Sequence, residues 1–419
     1  MKSLLIICDL SHCSHRIPGL SEELVKNGWE VHVISPAMSN RQRRFIGIDP
    51  LKSWSLHETK NFKMTYDRFS HIGNTFQWLY RVYVEKKTRA FNGRLYARPR
   101  LSTIEEIPDF AIEEHSRWIP IAFNLARKVI SKNHIDIVMS SSSPFSSHLV
   151  AREVSKVYGI PWVADYRDLW SLNHARLGEP NPLQEKFESH LLDSASAATT
   201  VTAGLASELK SLFPGPISVV HNAFNSMTTT WKTTFSLPLV ISYTGSIYEG
   251  FQNYGTILKV LEQINKDNVY ATITFVGPSI HFISDYYKSQ RQSVPSFVNL
   301  MNNVDRDRAH KIQRDADLLL VLNWDDPKQK GVESTKLFEY LGAGVPILST
   351  GGFGGDAIER ILKETSTGFY ARDQLEAYNY IKRILQDLKQ GYIRNDVAVE
   401  NYSIKSQAIV LREALEHII

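Results

Sequence analysis

GVESTKLFEYLGAGVPIL (residues 331–348) follows the apolar run LLLVL (from Leu318) and the loop NWDDPKQKG (from Asn323), and it reads as a helix that turns back into a strand. Ser334 or Thr335 can cap that helix, Leu337, Phe338 and Leu341 give it an apolar face, and Gly342 to Pro346 end it. Lys336 and Glu339 share the face away from those three residues. One reading is an exposed ion pair one turn apart, contributing roughly 0.2–0.5 kcal/mol. The other is a ligand site. A helix amino terminus at the carboxyl edge of a parallel sheet favours an anion, and a lysine in its first turn adds a full charge for a phosphate. A carboxylate one turn deeper can accept two hydrogen bonds from vicinal hydroxyls such as those of a ribose. Together the pair suits a sugar nucleotide.

Outward from this stretch, short apolar runs alternate with amphipathic segments, the pattern of a parallel sheet with crossover helices. In the first half SLLIIC (from Ser3), EVHVI (from Glu30), IDIVMS (from Ile135), PWVADY (from Pro161), ATTVT (from Ala198) and ISVVH (from Ile217) read as buried strands. A second series, LVISYT (from Leu239), ATITFV (from Ala271), FVNLM (from Phe297), LLLVL and VPILS (from Val345), begins after the Thr- and Ser-rich stretch 221–238. The class is therefore α/β, with two Rossmann-like, doubly wound domains over 1–225 and 236–403; the second, which holds Lys336 and Glu339, would take the sugar nucleotide, and the first is then expected on the acceptor side. Residues 39–108 are polar, aromatic and basic without a clean period, and read as an insertion. Residues 404–419 read as a final helix whose packing the sequence leaves open. Ligands of such sheets bind at the carboxyl ends of the strands, so the site belongs in the cleft between the domains.

With 419 residues, 43% of them hydrophobic and 11% aromatic, the chain has enough apolar material for two cores. A formal charge of +4 carries no general nucleic-acid footprint. Positive charge is concentrated once, over 81–100, where Arg81, Lys86, Lys87, Arg89, Arg94, Arg98 and Arg100 stand against Glu85 alone, interleaved with Tyr83, Phe91 and Tyr96. Such a segment suits anionic lipid or a phosphorylated acceptor. Two cysteines, Cys8 and Cys13, exclude a disulfide framework and fit a reducing cytoplasm. No apolar run approaches the roughly 20 residues of a spanning helix, so a soluble or peripherally bound protein is expected.

Four segments together resemble the retaining glycosyltransferases of family 4, which have the two-domain GT-B fold: Ser140 to Trp170, VVHNAFN (Val219 to Asn225), ISYTGSIYEG (Ile241 to Gly250), and Ala316 to Thr350. The last is the most specific. The resemblance implies transfer of a sugar from a UDP- or GDP-linked donor to an acceptor hydroxyl with retention, without a metal or other cofactor. It further implies a glycan or lipid-linked acceptor in surface polysaccharide or glycan synthesis, and no nucleic-acid partner. Glu339 matches the second of the family's two glutamates, the one that holds the ribose. The first falls on Gly331, with Glu333 two residues away. The arginine and lysine that grip the diphosphate in the family fall on Ser246 and, roughly, Glu249.

The expected donor set is then Gly245, Ser246, Val304, Ser334, Thr335, Lys336, Leu337 and Glu339, with Lys336 and the backbone amides at Gly245 and around Ser334 compensating the diphosphate and Val304 beside the base. Arg167 and Asp168 follow the strand PWVADY; Asp168 would orient a hydroxyl or accept a proton, and Arg167 would meet the leaving phosphate, unless the two form a structural pair. Lys336, Arg167 and Asp168 are the catalytic candidates. Front-face attack needs no covalent nucleophile, so the protein's part is orientation and stabilisation of the departing diphosphate. A sugar-nucleotide epimerase or hydrolase of the same fold, or a catalytically silent GT-B subunit, are the competing readings.

Other signals weigh less. CDLSHCSHR (from Cys8) suggests zinc, but Cys8 ends a buried strand and no second Cys/His cluster completes a set; His12 and His15 are expected on the acceptor side of the cleft or as satisfied structural histidines. DRD (from Asp305) and DAD (from Asp315) suggest a divalent metal only weakly, since the first opens a polar helix and the second runs into a strand. The serines from Ser140 to Ser147 lack the nucleophile-elbow pattern. GGFGGD (from Gly351) suits either close approach to the donor or a loop of positive φ.

Overall fold

The computed structural model describes residues 1–12, 15–46, 48, 52–59, 118–173, 181–228, 230–326, 331, 333–388 and 394–419. The basic segment 81–100, Cys13 and much of the expected insertion therefore lie outside the described residues.

The first domain is a parallel sheet of β1 (Ser3–Cys8), β2 (Glu30–Pro36), β3 (Ser55–Thr59), β4 (Ile137–Ser142), β5 (Trp162–Tyr166), β6 (Ala197–Thr200) and β7 (Ile217–Val219), in the order β3-β2-β1-β4-β5-β6-β7. The second is a parallel sheet of β8 (Leu239–Thr244), β9 (Ala271–Val276), β10 (Val298–Met301), β11 (Leu318–Leu322), β12 (Ile347–Thr350) and β13 (Gly368–Ala371), in the order β10-β9-β8-β11-β12-β13. Both are doubly wound. In each, the strand order reverses beside the first strand, between β1 and β4 and between β8 and β11, which opens a crevice at the carboxyl ends of those strands.

Burial on both faces explains the continuous apolar runs. In β1, Leu5 and Ile7 enter a core layer with Trp118 and Trp162, while Leu4, Ile6 and Cys8 enter the opposite layer with Ile17, Leu20 and Leu24. The second sheet is flanked likewise, with Leu318 and Leu320 on one side and Leu319 and Val321 on the other.

Two strands escaped the sequence pattern. β3, SLHET, is half polar and lies inside the stretch read as an insertion, so residues from the helix Asn40–Ile46 to Thr59 complete the ordinary sheet edge. β13, GFYA, is too short to show a period.

The chain passes twice between the domains, and the two passages run side by side: Phe224 N donates to Tyr402 O (3.2 Å) and Ile404 N to Phe224 O (2.8 Å). The final helix, Ile404–Glu416, returns to the first domain, where Ile404, Ala408, Leu411 and Leu415 join the layer that holds Leu20 and Leu24 of the helix Arg16–Lys26. Two Rossmann-like domains thus face each other across a cleft, as in a GT-B fold. No helix among the described residues is long and apolar enough to cross a membrane.

Candidate functional site

The helix Thr335–Ala343 begins at the carboxyl edge of the second sheet, with Ser334 as its N-cap residue. Its buried face, Leu337, Phe338, Tyr340 and Leu341, fixes its roll, and that roll sends Lys336 and Glu339 toward the crevice. Lys336 Nζ lies 5.4 Å from the ring centre of Tyr243 and 5.9 Å from that of Tyr248. Its stem runs against Gly245: a Cβ there would stand 2.2 Å from Lys336 Cε, and the φ of +129° is itself one that glycine favours. Burial pulls the Lys336 ammonium down to about 8, against the opposing pull of Glu339. Among the described residues no oxygen accepts a hydrogen bond from this ammonium. The cation is thus held by aromatic faces and desolvated.

Two of the expected backbone donors are already used. The Gly245 amide donates to Val276 O (2.8 Å) and the Leu337 amide to Ser334 O (3.0 Å). Gly245 therefore makes room for Lys336 by lacking a side chain. Leu337 serves it as a core anchor. Ser246 turns its carbonyl to Tyr243, whose hydroxyl donates to it at 2.6 Å. Thr335 is exposed, and Val304 is half-buried in the loop after β10.

Glu339 is positioned by a chain of hydrogen bonds. Thr244 N donates to the Tyr340 hydroxyl (2.9 Å), Gln313 Nε2 to Thr244 Oγ1 (2.9 Å), and the same Gln313 nitrogen reaches Glu339 Oε2 at 3.4 Å. Gln313 belongs to the helix Arg306–Asp315, which also brings Arg306 and His310 to Glu339, with Arg306 Nε 3.4 Å from His310 Nε2. Burial lowers the pKa of both Arg306 and His310, and Glu339 counteracts it in each.

These three residues were missed by the sequence reading. Their spacing of four and three places one polar stripe on a helix otherwise too polar to attract notice. His15 reaches the same group from the first domain: burial and then Arg306 lower it to about 4, and Glu339 acts in the opposite sense. His15 Nε2 lies 3.1 Å from Ala223 O and so carries the hydrogen.

Gly204 and Gly331 meet where the domains approach. A Cβ on Gly204 would lie 2.4 Å from Gly331 Cα, and one on Gly331 would lie 2.8 Å from Gly204 Cα. A glutamate at 331 has no room in this arrangement. Glu333 does not replace it: its buried carboxylate is 3.0 Å from His221 Nδ1 and 3.4 Å from an Arg360 nitrogen, an ion network at the interdomain passage.

On the first domain, the Arg167 guanidinium is committed to main-chain carbonyls, those of His12, Ser142 (3.0 Å) and Ser143 (2.5 Å). It ties together the loops after β1 and β4. Asp168, beside it, is exposed. His12 Nδ1 lies 3.1 Å from Asp9 Oδ2. Beneath them, buried Asp165 accepts from Ser141 Oγ (2.7 Å), Thr199 Oγ1 (2.7 Å) and an Arg16 nitrogen (3.2 Å). Burial works to raise its pKa, but Arg16 and the two hydroxyls bring it below the usual carboxylate range.

Of the serine cluster, Ser140 Oγ lies 2.7 Å from His148 Nδ1 and accepts from Trp162 Nε1 (2.7 Å), all buried. No group of three or more His, Cys, Asp or Glu able to hold a metal occurs among the described residues. Asp305 caps its helix by accepting from Arg308 N (2.8 Å), and Asp315 pairs with Lys311 (2.6 Å). In GGFGGD, Gly351, Gly352, Gly354 and Gly355 all have positive φ, and the Gly352 amide donates to Asp325 Oδ1 (2.9 Å).

Comparison with known proteins bears on the fold. The family model "Glycosyltransferase Family 4" matches residues 79–226, and no curated protein matches the sequence. Sucrose-phosphate synthase (tll1590) from Thermosynechococcus elongatus superposes with a TM-score of 0.65 at 13% identity, covering 100% of this chain and 99% of that one. The fold is GT-B. The apo lipopolysaccharide outer core galactosyltransferase WaaB (TM-score 0.60, 14% identity, 100% of both chains) and Anabaena Alr3699/HepE in complex with UDP-glucose (0.56, 11%, 100% of both) share it.

Proposed function

We propose that this chain is a retaining glycosyltransferase of the family 4 type, moving a sugar from a UDP- or GDP-linked donor to an acceptor hydroxyl in glycan or surface polysaccharide synthesis. One observation carries the reading. At the switch point of the second sheet, a desolvated lysine ammonium at a helix amino terminus stands one turn from a carboxylate held by Gln313, the order in which a diphosphate and a ribose follow one another in a nucleotide.

Lys336 would neutralise the charge that develops on the leaving diphosphate, helped by the dipole of its helix. Glu339 would accept hydrogen bonds from the ribose hydroxyls. Front-face departure lets the leaving phosphate take the acceptor's proton, so no base or nucleophile from the protein is required. Exposed Asp168 is the residue assigned to orient the acceptor hydroxyl, with Arg167 holding its loop and His12 on the same side. His15 belongs to the interdomain contact beside Glu339. The basic segment 81–100 is the proposed contact with a phosphorylated, lipid-linked acceptor at the cytoplasmic face of a membrane.

A thermal-shift panel of UDP, GDP, ADP and NADH tests the reading. Saturation at about 100 times the dissociation constant adds roughly 2.7 kcal/mol, so one nucleoside diphosphate should raise the midpoint selectively. No rise with any of them would overturn the donor site.

A further inference from the structure

The donor reading places phosphate at Lys336 and ribose at Glu339, and the structure continues that line to a third group. Lys336 lies against Gly245 and Tyr243 at the neighbouring strand end. Glu339, in touch with Gln313, supports the charge of Lys336 and that of Arg306 alike. Arg306 stands in the first turn of its helix and two residues after Val304. With a phosphate on Lys336 and a ribose on Glu339, Arg306 is the second cation beside the same carboxylate, within reach of the base that follows the ribose.

The state of Arg306 suits that neighbour. It is half-buried, and its Nε makes one long contact, 3.4 Å to His310 Nε2. Among the described residues its two terminal nitrogens have no hydrogen-bond partner. Glu339 stabilises its charge without engaging it in a bond of hydrogen-bond length, and burial opposes that charge. A guanidinium offers five donors in a rigid fork and no acceptor. It is therefore matched by a base edge that presents acceptors, O4 of uracil or O6 and N7 of guanine, and mismatched by the amino groups at N4 of cytosine and N6 of adenine.

Resting on the donor-site reading, we infer that Arg306 is the specificity-determining residue for the nucleotide base, selecting keto bases over their amino counterparts. This adds a side-chain reader of the base edge beside Val304, the residue expected next to the base. The inference concerns choice within a ring size, uracil over cytosine or guanine over adenine.

The test is calorimetric titration of the full chain with UDP, CDP, GDP and ADP, repeated on Arg306→Ala and Arg306→Lys. Wild type should prefer the keto member of its pair by roughly tenfold or more, the discrimination of one good bidentate contact. Arg306→Ala should bring the pair to near equality by weakening the keto member alone. Arg306→Lys, which keeps the charge without the fork, guards against loss of folding in the alanine variant, and it should also lose most of the discrimination. If the preference survives in Arg306→Lys, or if both members weaken equally in Arg306→Ala, the base is not read here. If wild type binds none of the four, the donor site itself fails.

Discussion

Gly204 and Gly331 bring the two domains into backbone contact, with a Cβ on either falling 2.4 or 2.8 Å from the other's Cα. The first glutamate of the pattern that the sequence resembles therefore has no place at 331 while the domains hold this arrangement. Restoring it should harm the protein. Gly331→Glu is expected to overpack the contact at a cost of about 1–3 kcal/mol, or to force the domains apart. A lowered melting midpoint with reduced transfer would show it; a variant with wild-type stability and faster transfer would mean the contact opens freely.

Glu333 is assigned to the interdomain passage, between His221 and Arg360. Glu333→Ala should lower stability by about 0.5–1.5 kcal/mol, the net worth of hydrogen bonds lost to His221 and Arg360, whose side chains water can still reach. The nucleoside diphosphate affinity should stay at the wild-type value. Denaturant unfolding and titration separate the two; a variant of unchanged stability that no longer binds nucleotide would move Glu333 into the site.

Lys336 is pulled to about 8 by burial. Its ammonium is the form that meets a diphosphate, so affinity should be constant below pH 8 and fall as pH rises through 8, approaching tenfold per unit until the raised pKa of the complex is reached. The parent nucleoside should show no such fall. Gly245→Ala, which pushes on Lys336 Cε, should weaken the diphosphate selectively in the same way.

Burial lowers His15 to about 4 and His148 to about 3 from the ordinary 6.5. A folded pKa below the unfolded one means that the unfolded chain takes up protons first. Stability from these groups is complete above pH 6.5 and is lost as pH falls, by up to about 1.4 kcal/mol per pH unit for each histidine. Melting midpoints measured from pH 7 to pH 4 should drop steadily, and less steeply in His148→Gln. A flat profile would place both imidazoles in contact with solvent.

The legible parts of the chain were those with a repeated physical constraint. Strands buried on both faces show as apolar runs, and the helix at 335–343 announced its roll through Leu337, Phe338 and Leu341. β3 and β13 were not legible, because a half-exposed edge strand and a four-residue strand repeat too little. Arg167 shows another limit: its position after β5 does not announce the three carbonyls that surround its guanidinium, which come from loops far apart in sequence. The amide of Gly245 is the same case, taken by Val276. Arg306, His310 and Gln313 gather around Glu339 from a different helix, and no local spacing records that meeting.

The most direct measurement is calorimetric titration of wild type, Lys336→Ala and Glu339→Ala with the nucleoside diphosphate that binds and with its nucleoside. Loss of a charged hydrogen-bonding partner at about 1.5–3 kcal/mol predicts a weakening of tenfold or more. In Lys336→Ala that loss should fall on the diphosphate and spare the nucleoside; in Glu339→Ala it should fall on both. Equal diphosphate affinity in wild type and Lys336→Ala would contradict the account.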